Sequence, residues 1–338
     1  MSEEFRNEEL TEKIKEDVKT IREGFSKIRE EIAKVVVGED EIINNIFICL
    51  LADAHALLES VPGLGKSLLI ETLGRCIEGT TFRRIQFVPD MLPADILGVN
   101  VFNPKTGDFY ISKGPIFANF ILADEINRAP PKTQAALMEV MQERKVSIQH
   151  EEFILDKPFL VLATQNPLEQ QGVYPLPEAI VDRFFMKIII DYPSEKEEFQ
   201  IIEQNTLMIR DLLNRVTPVV KKDFILYAQD VVRKIYISPA IKNYILEIVN
   251  STRKRGRYNI EKAKYIKYGG SPRASIALAL ASKALALLDG RTFVLPSDVK
   301  KVAKNVLRHR IILDYEGRAL GISQDEIIEE IINKVEIT

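Results

Sequence analysis

The first pattern in the chain is helical: Leu10, Ile14, Val18, Ile21, Phe25, Ile28 and Ile32 recur three and four positions apart amid dense alternating charge. That spacing sets them along one stripe of a long amphipathic helix. A helix laid on the body of the protein is the expectation, with a coiled-coil segment as the alternative. The pattern then changes to short apolar runs at 54–58, 84–88, 120–123, 159–163 and 187–190, each of strand length. Helical patterns separate them, with Leu68, Leu69, Thr72, Leu73 and Ile77 facing inward after the first run and Ala136, Leu137, Val140 and Met141 after the third. Buried strands alternating with crossover helices predict an α/β fold, a doubly wound parallel sheet covered on both faces in three layers. Turn signals at 103–108 and 149–152 predict two hairpins decorating that sheet.

After Asp191-Tyr192-Pro193 the strand signals stop. Ser194 with Glu197 and Ser323 with Glu326 have capping-box spacing, while Ser238-Pro239 and Ser271-Pro272 put proline at a first helical position, as helix starts favour. The expected organisation is an N-terminal amphipathic helix over 1–35, a sheet domain over 36–192 and a helical domain over 193–338, hinged near 192–194. A chain of 338 residues is long enough for two such packed domains.

Composition refines this picture. With 46% apolar and 28% charged residues the chain has the make-up of an ordinary globular protein. A formal charge of -3, from 46 basic and 49 acidic residues, gives no global attraction to nucleic acid or to an anionic membrane. Cys49 and Cys76 sit in no CxxC or Cys/His cluster, which argues against a disulfide framework or structural zinc and fits a reducing compartment. The acidic N-terminus and the lack of a bilayer-length apolar run lead to the expectation of a cytoplasmic protein without membrane contact. His55, His150 and His309 lack metal-ligand spacing and are read as structural or surface residues.

The strongest chemical signal is Ser60-Val61-Pro62-Gly63-Leu64-Gly65-Lys66-Ser67, between the first strand and the next helix. A phosphate chain needs converging backbone N–H groups, the positive potential of a helix N-terminus and a lysine for its outer phosphates. Pro62, Gly63, Leu64, Gly65, Lys66, Ser67 and Leu68 are thus the expected nucleotide-binding residues, with the Ser67 hydroxyl on Mg2+. Ser60 stands where a first glycine is usual, and would alter the loop entrance if that position required a positive φ. The second element, 119–125, is an apolar strand ending in two acids. At the carboxyl edge of a parallel sheet, Asp124 can hold the metal through water and Glu125 can polarise the attacking water.

These motifs join others in order: Gly114-Pro115-Ile116-Phe117, then Asp124-Glu125-Ile126-Asn127-Arg128-Ala129-Pro130-Pro131-Lys132-Thr133-Gln134, Leu137-Met138-Glu139, Ala163-Thr164-Gln165-Asn166-Pro167, Leu176-Pro177-Glu178-Ala179, Asp182-Arg183-Phe184 and Ser271-Pro272-Arg273-Ala274. Across 37–332 the chain resembles the MoxR family of AAA+ ATPases. The resemblance implies a P-loop AAA+ core with a helical lid, hydrolysing ATP with Mg2+. It implies Asn166 as a first sensor orienting water near the γ-phosphate, Arg183 as an arginine finger delivered to a neighbouring subunit, and Arg273 as a second sensor reaching the γ-phosphate from the lid. It also implies a homohexameric ring with a chaperone-like role, acting with a von Willebrand factor A domain partner on protein clients.

One segment lies outside these motifs. Residues 251–270 interleave Arg253, Lys254, Arg255, Arg257, Lys262, Lys264 and Lys267 with Tyr258, Tyr265 and Tyr268. A mobile, solvated loop of the lid is the preferred reading, with a single-stranded nucleic-acid groove as the alternative. Three other functions therefore remain beside client remodelling: a nucleic-acid motor of the same superfamily, an ATP-gated scaffold with little turnover, and a small-molecule kinase, in which the order Asp124-Glu125, Asn166, Arg183 would have no role.

Overall fold

The computed structural model describes residues 3–61, 63–149, 151–167, 172–205, 212–253 and 258–337. Its central sheet is built from β1 (Ala56–Ser60), β2 (Phe82–Gln86), β3 (Phe120–Asp124), β4 (Leu160–Gln165) and β5 (Met186–Ile190), in the order β5-β1-β4-β3-β2 with every pair parallel. The helices that frame it are α1 (Glu3–Ile32), α2 (Asp40–Leu51), α3 (Lys66–Arg75), α4 (Pro131–Glu143), α5 (Glu195–Asn205), α6 (Lys222–Lys234), α7 (Pro239–Ser251), α8 (Pro272–Leu288), α9 (Pro296–Leu307) and α10 (Gln324–Lys334).

All five residues of β3 are buried, because helices and hairpins cover both faces, and this is why the strands read as unbroken apolar runs. Alternate residues serve different cores. Ala56 and Leu58 of β1 join the core shared with α1, α2 and α3, whereas Leu57 joins Leu137, Met138 and Met141 of α4. The two turn signals form antiparallel hairpins, pairing 98–102 with 109–113 and 145–148 with 151–154.

The N-terminal stripe forms α1, with Val18, Ile21, Phe25, Ile28 and Ile32 buried. It packs on α3, α6 and α8, so the helix lies on the body as expected and ties the sheet to the helical part. Burying those five side chains contributes on the order of 10 kcal/mol. The α2 helix was not anticipated. Nearly every position from Ile43 to Leu51 is buried, so it has no polar face to generate a helical period.

Beyond β5 the serine signals hold: Ser194 bonds to Glu197, and Ser238, Ser271 and Ser323 accept backbone N–H bonds at the starts of α7, α8 and α10. Three details differ from the sequence reading. The α3 helix stops at Arg75, and Ile77 lies instead in a two-residue strand that pairs with Val220; Gly79, at φ 82°, turns the chain directly afterwards. Strand pairing also recurs in the helical part, between Ile266–Tyr268 and Ile312–Leu313. The basic segment is docked where it is described: Glu330 accepts from the Glu261 and Lys262 backbone, and Lys262 Nζ donates to Glu326 at 2.6 Å. Acids of α10 thus offset part of its charge; residues 254–257 lie outside the described residues.

Candidate active site

Strand β1 ends at Ser60, and the chain turns into α3 through Gly63 at φ 87° and Gly65 at φ 71°. A Cβ at either glycine would meet nothing within 4 Å. The glycines are therefore required by backbone conformation, on a surface that faces the cavity rather than packed protein. Gly65 is the N-cap of α3 and supplies no side-chain cap, which leaves the first-turn N–H groups directed outward for an anion. Pro62 lies outside the described residues.

These residues line a cavity of about 750 Å³ together with Asp124, Glu125, Thr164 and Asn166 at the carboxyl ends of β3 and β4. Gly63, Leu64, Gly65, Lys66, Ser67 and Leu68 all contribute to the lining, so the structure brings together every described candidate of the P-loop and of the two-acid strand. Its volume is in the range of small-molecule sites. Val35, Val36, Val37, Tyr192, Pro193 and Ile201 give the cavity an apolar part.

The polar side chains hold one another in place. Thr164 Oγ1 donates to Asp124 Oδ1 at 2.6 Å and accepts from the Glu125 backbone N–H at 2.8 Å. Arg84 on β2 donates to Asp124 Oδ2 through Nη2 at 2.6 Å and Nε at 3.1 Å. Gln86 Nε2 donates to Glu125 Oε2 at 2.7 Å, and Arg128 Nη1 donates to the same oxygen at 3.1 Å. Glu125 itself sits at φ 58°, ψ 49°. A left-handed conformation in a non-glycine residue is unfavourable on its own, and the surrounding bonds maintain it. Burial holds the Lys66 ammonium below the usual lysine range; Asp124 and Glu125 act against this, and Arg84 adds to it.

Sequence reasoning gave no role to Arg84, Gln86, Thr164 or Arg128. A signal for the first two existed in the run Phe82-Arg83-Arg84-Ile85-Gln86, where polar residues mark a partly exposed edge strand. Ser60 also behaves differently from expectation. It is an extended strand residue paired with Ile190 and absent from the positive-φ positions, so no backbone strain arises there, and its hydroxyl accepts from Lys66.

Arg183 and Arg273 lie elsewhere. Both line a separate hollow of about 230 Å³ with Asp53, His55, Met141 and Arg310. Asp53 and His55 precede β1, and Arg183 precedes the parallel strand β5, so this hollow lies at the amino edge of the sheet, opposite the P-loop. Five strand residues separate the two edges, roughly 15 Å. The second-sensor candidate Arg273 therefore lies across the sheet from the P-loop of its own chain. Arg273 Nη1 instead lies 3.8 Å from Asp182 Oδ2.

Asp182 is a junction rather than a loose surface acid. It accepts from Ser271 Oγ at 3.1 Å and from Arg310 Nε at 3.0 Å. Arg310 is buried and also donates to the carbonyls of Phe184, Phe185 and Val306. Burial pushes its guanidinium down to about 10 against the pull of Asp182. The other histidines of interest are structural: His55 is buried, donating to Met141 O and accepting from Val161 N, and His309 bonds to Phe184 O. His150 lies outside the described residues.

Comparisons with known proteins agree with this geometry. The family model described as "ATPase family associated with various cellular activities (AAA)" matches residues 55–186, and that of the AAA lid domain matches 260–331. The chain is 42% identical to Chaperone MoxR1 of Mycobacterium tuberculosis, over 90% of this chain and 80% of the relative. It is 28% identical to Protein MoxR of Methylorubrum extorquens, over 90% of this chain and 93% of that protein. A crystal structure from Cytophaga hutchinsonii superposes with a TM-score of 0.90 at 44% identity, covering 100% of both chains. The chain belongs to the MoxR family of AAA+ ATPases.

Proposed function

We propose that this chain binds ATP with Mg2+ in the cavity between the P-loop and Asp124, hydrolyses it, and uses the cycle to remodel client proteins as one member of a ring. The observation that carries the reading is the convergence of Lys66, Ser67, Asp124, Glu125 and Asn166 on one cavity at the carboxyl edge of a parallel sheet, where such folds bind ligands.

Among the described residues no group of three or more His, Cys, Asp or Glu converges on a metal position. The Ser67 hydroxyl and the Asp124 carboxylate in the cavity are oxygen donors, which suit magnesium, an ion completed by phosphate oxygens and water beyond one or two protein ligands. Ser67 and Asp124 would hold it, and when bound it supplies charge neutralisation at the phosphates. Backbone N–H groups of 63–67 and the Lys66 ammonium hold the triphosphate. Glu125, oriented by Gln86 and Arg128, accepts the proton of the water that attacks the γ-phosphorus, while Asn166 positions that water. The products are ADP and phosphate.

Placement at the far edge of the sheet supports a trans role for both Arg183 and Arg273, the pair being offered to the triphosphate of an adjoining subunit. On this reading the sheet domain of 36–192 and the helical domain of 193–338 move against each other as nucleotide turns over. A homohexamer, a von Willebrand factor A domain partner and a cytoplasmic setting complete the proposal, in keeping with the chaperone name of the Mycobacterium relative. Phosphate release by the full chain with Mg2+, set beside Glu125→Gln, tests it. Turnover in the parent and none in the variant is the expected outcome, and equal release from both would overturn the assignment.

A further inference from the structure

Glu39 has no role in the chemistry above, yet it lines the same cavity. It follows the three valines of 35–37 and caps α2 from a left-handed conformation, φ 60° and ψ 23°, without a side-chain cap bond. Among the described residues its half-buried carboxylate has no hydrogen-bond or ion-pair partner. Leaving a sheltered carboxylate unpaired is costly, and the cavity that Glu39 lines is also lined by Val36, Val37, Tyr192 and Pro193, apolar surfaces suited to a flat ring.

We propose that Glu39 reads the base: its carboxylate accepts from the exocyclic amine of an adenine seated against these residues and rejects a purine carrying a carbonyl at that position. This rests on the nucleotide reading given above. An ionised carboxylate only accepts hydrogen bonds. Facing the carbonyl of hypoxanthine or guanine, it would meet a second acceptor where adenine offers a donor, a mismatch that polar sites reject far more strongly than a change of size.

The surroundings make this discrimination depend on pH. Glu197 and Glu198 face the turn from α5, Asp40 beside it is paired with Arg29 of α1, and Lys66 lies on the P-loop side of the cavity. Glu197 is packed so closely that a Cβ on Gly38 would overlap its carboxylate. Burial, aided by the Glu197 charge, pushes Glu39 up to about 7. Accepting from an amine favours the charged form, so adenine binding releases the proton and gains strength as pH rises through that value. The protonated carboxyl can also donate, and tolerates a purine carbonyl.

The test is calorimetric titration of the full chain with ADP and with inosine diphosphate, Mg2+ present throughout, at pH 6 and pH 8.5. ADP should bind about tenfold or more tightly than inosine diphosphate at the higher pH, and the ratio should narrow severalfold at the lower. Glu39→Gln, whose amide both donates and accepts, should bind the two within about twofold at either pH. Glu197→Gln touches no ligand and should move the narrowing to lower pH; it decides the matter if Glu39→Gln does not fold. Equal affinities in the parent at pH 8.5, or undiminished discrimination in a folded Glu39→Gln, would overturn the proposal while leaving the nucleotide site standing. Failure of the parent to bind either nucleotide would instead remove the nucleotide reading itself.

Discussion

Lys66 Nζ donates to Ser60 Oγ at 2.5 Å across the entrance of the P-loop. On the proposed nucleotide reading, the serine that replaces the usual first glycine would compete with phosphate for the lysine, because the ammonium must leave the hydroxyl to reach a triphosphate. Ser60→Ala should raise nucleotide affinity about three- to tenfold, the worth of one hydrogen bond to a charged group less its partial replacement by water. Since Ser60 is an extended strand residue, the fold should be unaffected. A fall in affinity by calorimetry would contradict this account.

Lys66 is held below the usual lysine range by its own burial. Lys66→Ala should accordingly abolish nucleotide binding without lowering thermal stability, because the ammonium it removes is poorly solvated in the absence of phosphate. Parallel loss of binding and of the unfolding midpoint would mean that the lysine is a structural residue.

Glu125 is kept in a left-handed turn by bonds to its backbone and carboxylate. Glu125→Gln retains an acceptor for Gln86 and Arg128 but cannot take a proton. Turnover should drop at least about a hundredfold, with ADP affinity within about threefold of the parent. Single-turnover phosphate release and equilibrium titration separate the two effects, and matched losses in both would assign Glu125 to binding.

The sheet and the P-loop were legible because each has a local signature. Buried parallel strands leave apolar runs, and Gly63, Gly65 and Lys66 stand at fixed offsets after one of them. Arg84 and Thr164 were not, because their importance comes from strand order: β2 and β4 flank β3, and nothing in the local sequence around 84 or 164 says which strand lies beside Asp124. The placement of Arg273 is the same problem at larger scale. Its helix start is visible in Ser271-Pro272, but the edge of the sheet to which that helix docks depends on Asp182 and Arg310, which are 128 positions apart.

That junction makes a stability prediction. Arg310 has only 2% of its side chain exposed and pairs with Asp182 at 3.0 Å. Removing one partner of such a pair leaves a buried charge uncompensated, a loss of about 3 kcal/mol or more. Asp182→Ala should destabilise the protein by roughly that amount in denaturant unfolding, and adding Arg310→Met should restore much of the loss. A near-neutral Asp182→Ala would show that the carbonyl groups around Arg310 suffice.

Arg183 and Arg273 share the hollow at the amino edge of the sheet, while Lys66 and Glu125 line the cavity at the carboxyl edge. If the two arginines act on a neighbour, each chain carries half of two sites. Arg183→Ala and Arg273→Ala should each leave ADP affinity of the isolated chain within about twofold, and each should reduce turnover of the assembly about a thousandfold, the scale of a lost arginine finger. Mixing Arg183→Ala chains with Glu125→Gln chains should then recover activity, since some interfaces join an intact P-loop and base to an intact pair of arginines. Mixing Arg183→Ala with Arg273→Ala should recover little, because every interface between different or like chains lacks one cation. Recovery in the second mixture as large as in the first would mean that the two arginines do not serve the same interface, and absence of recovery in the first would remove the trans role of Arg183.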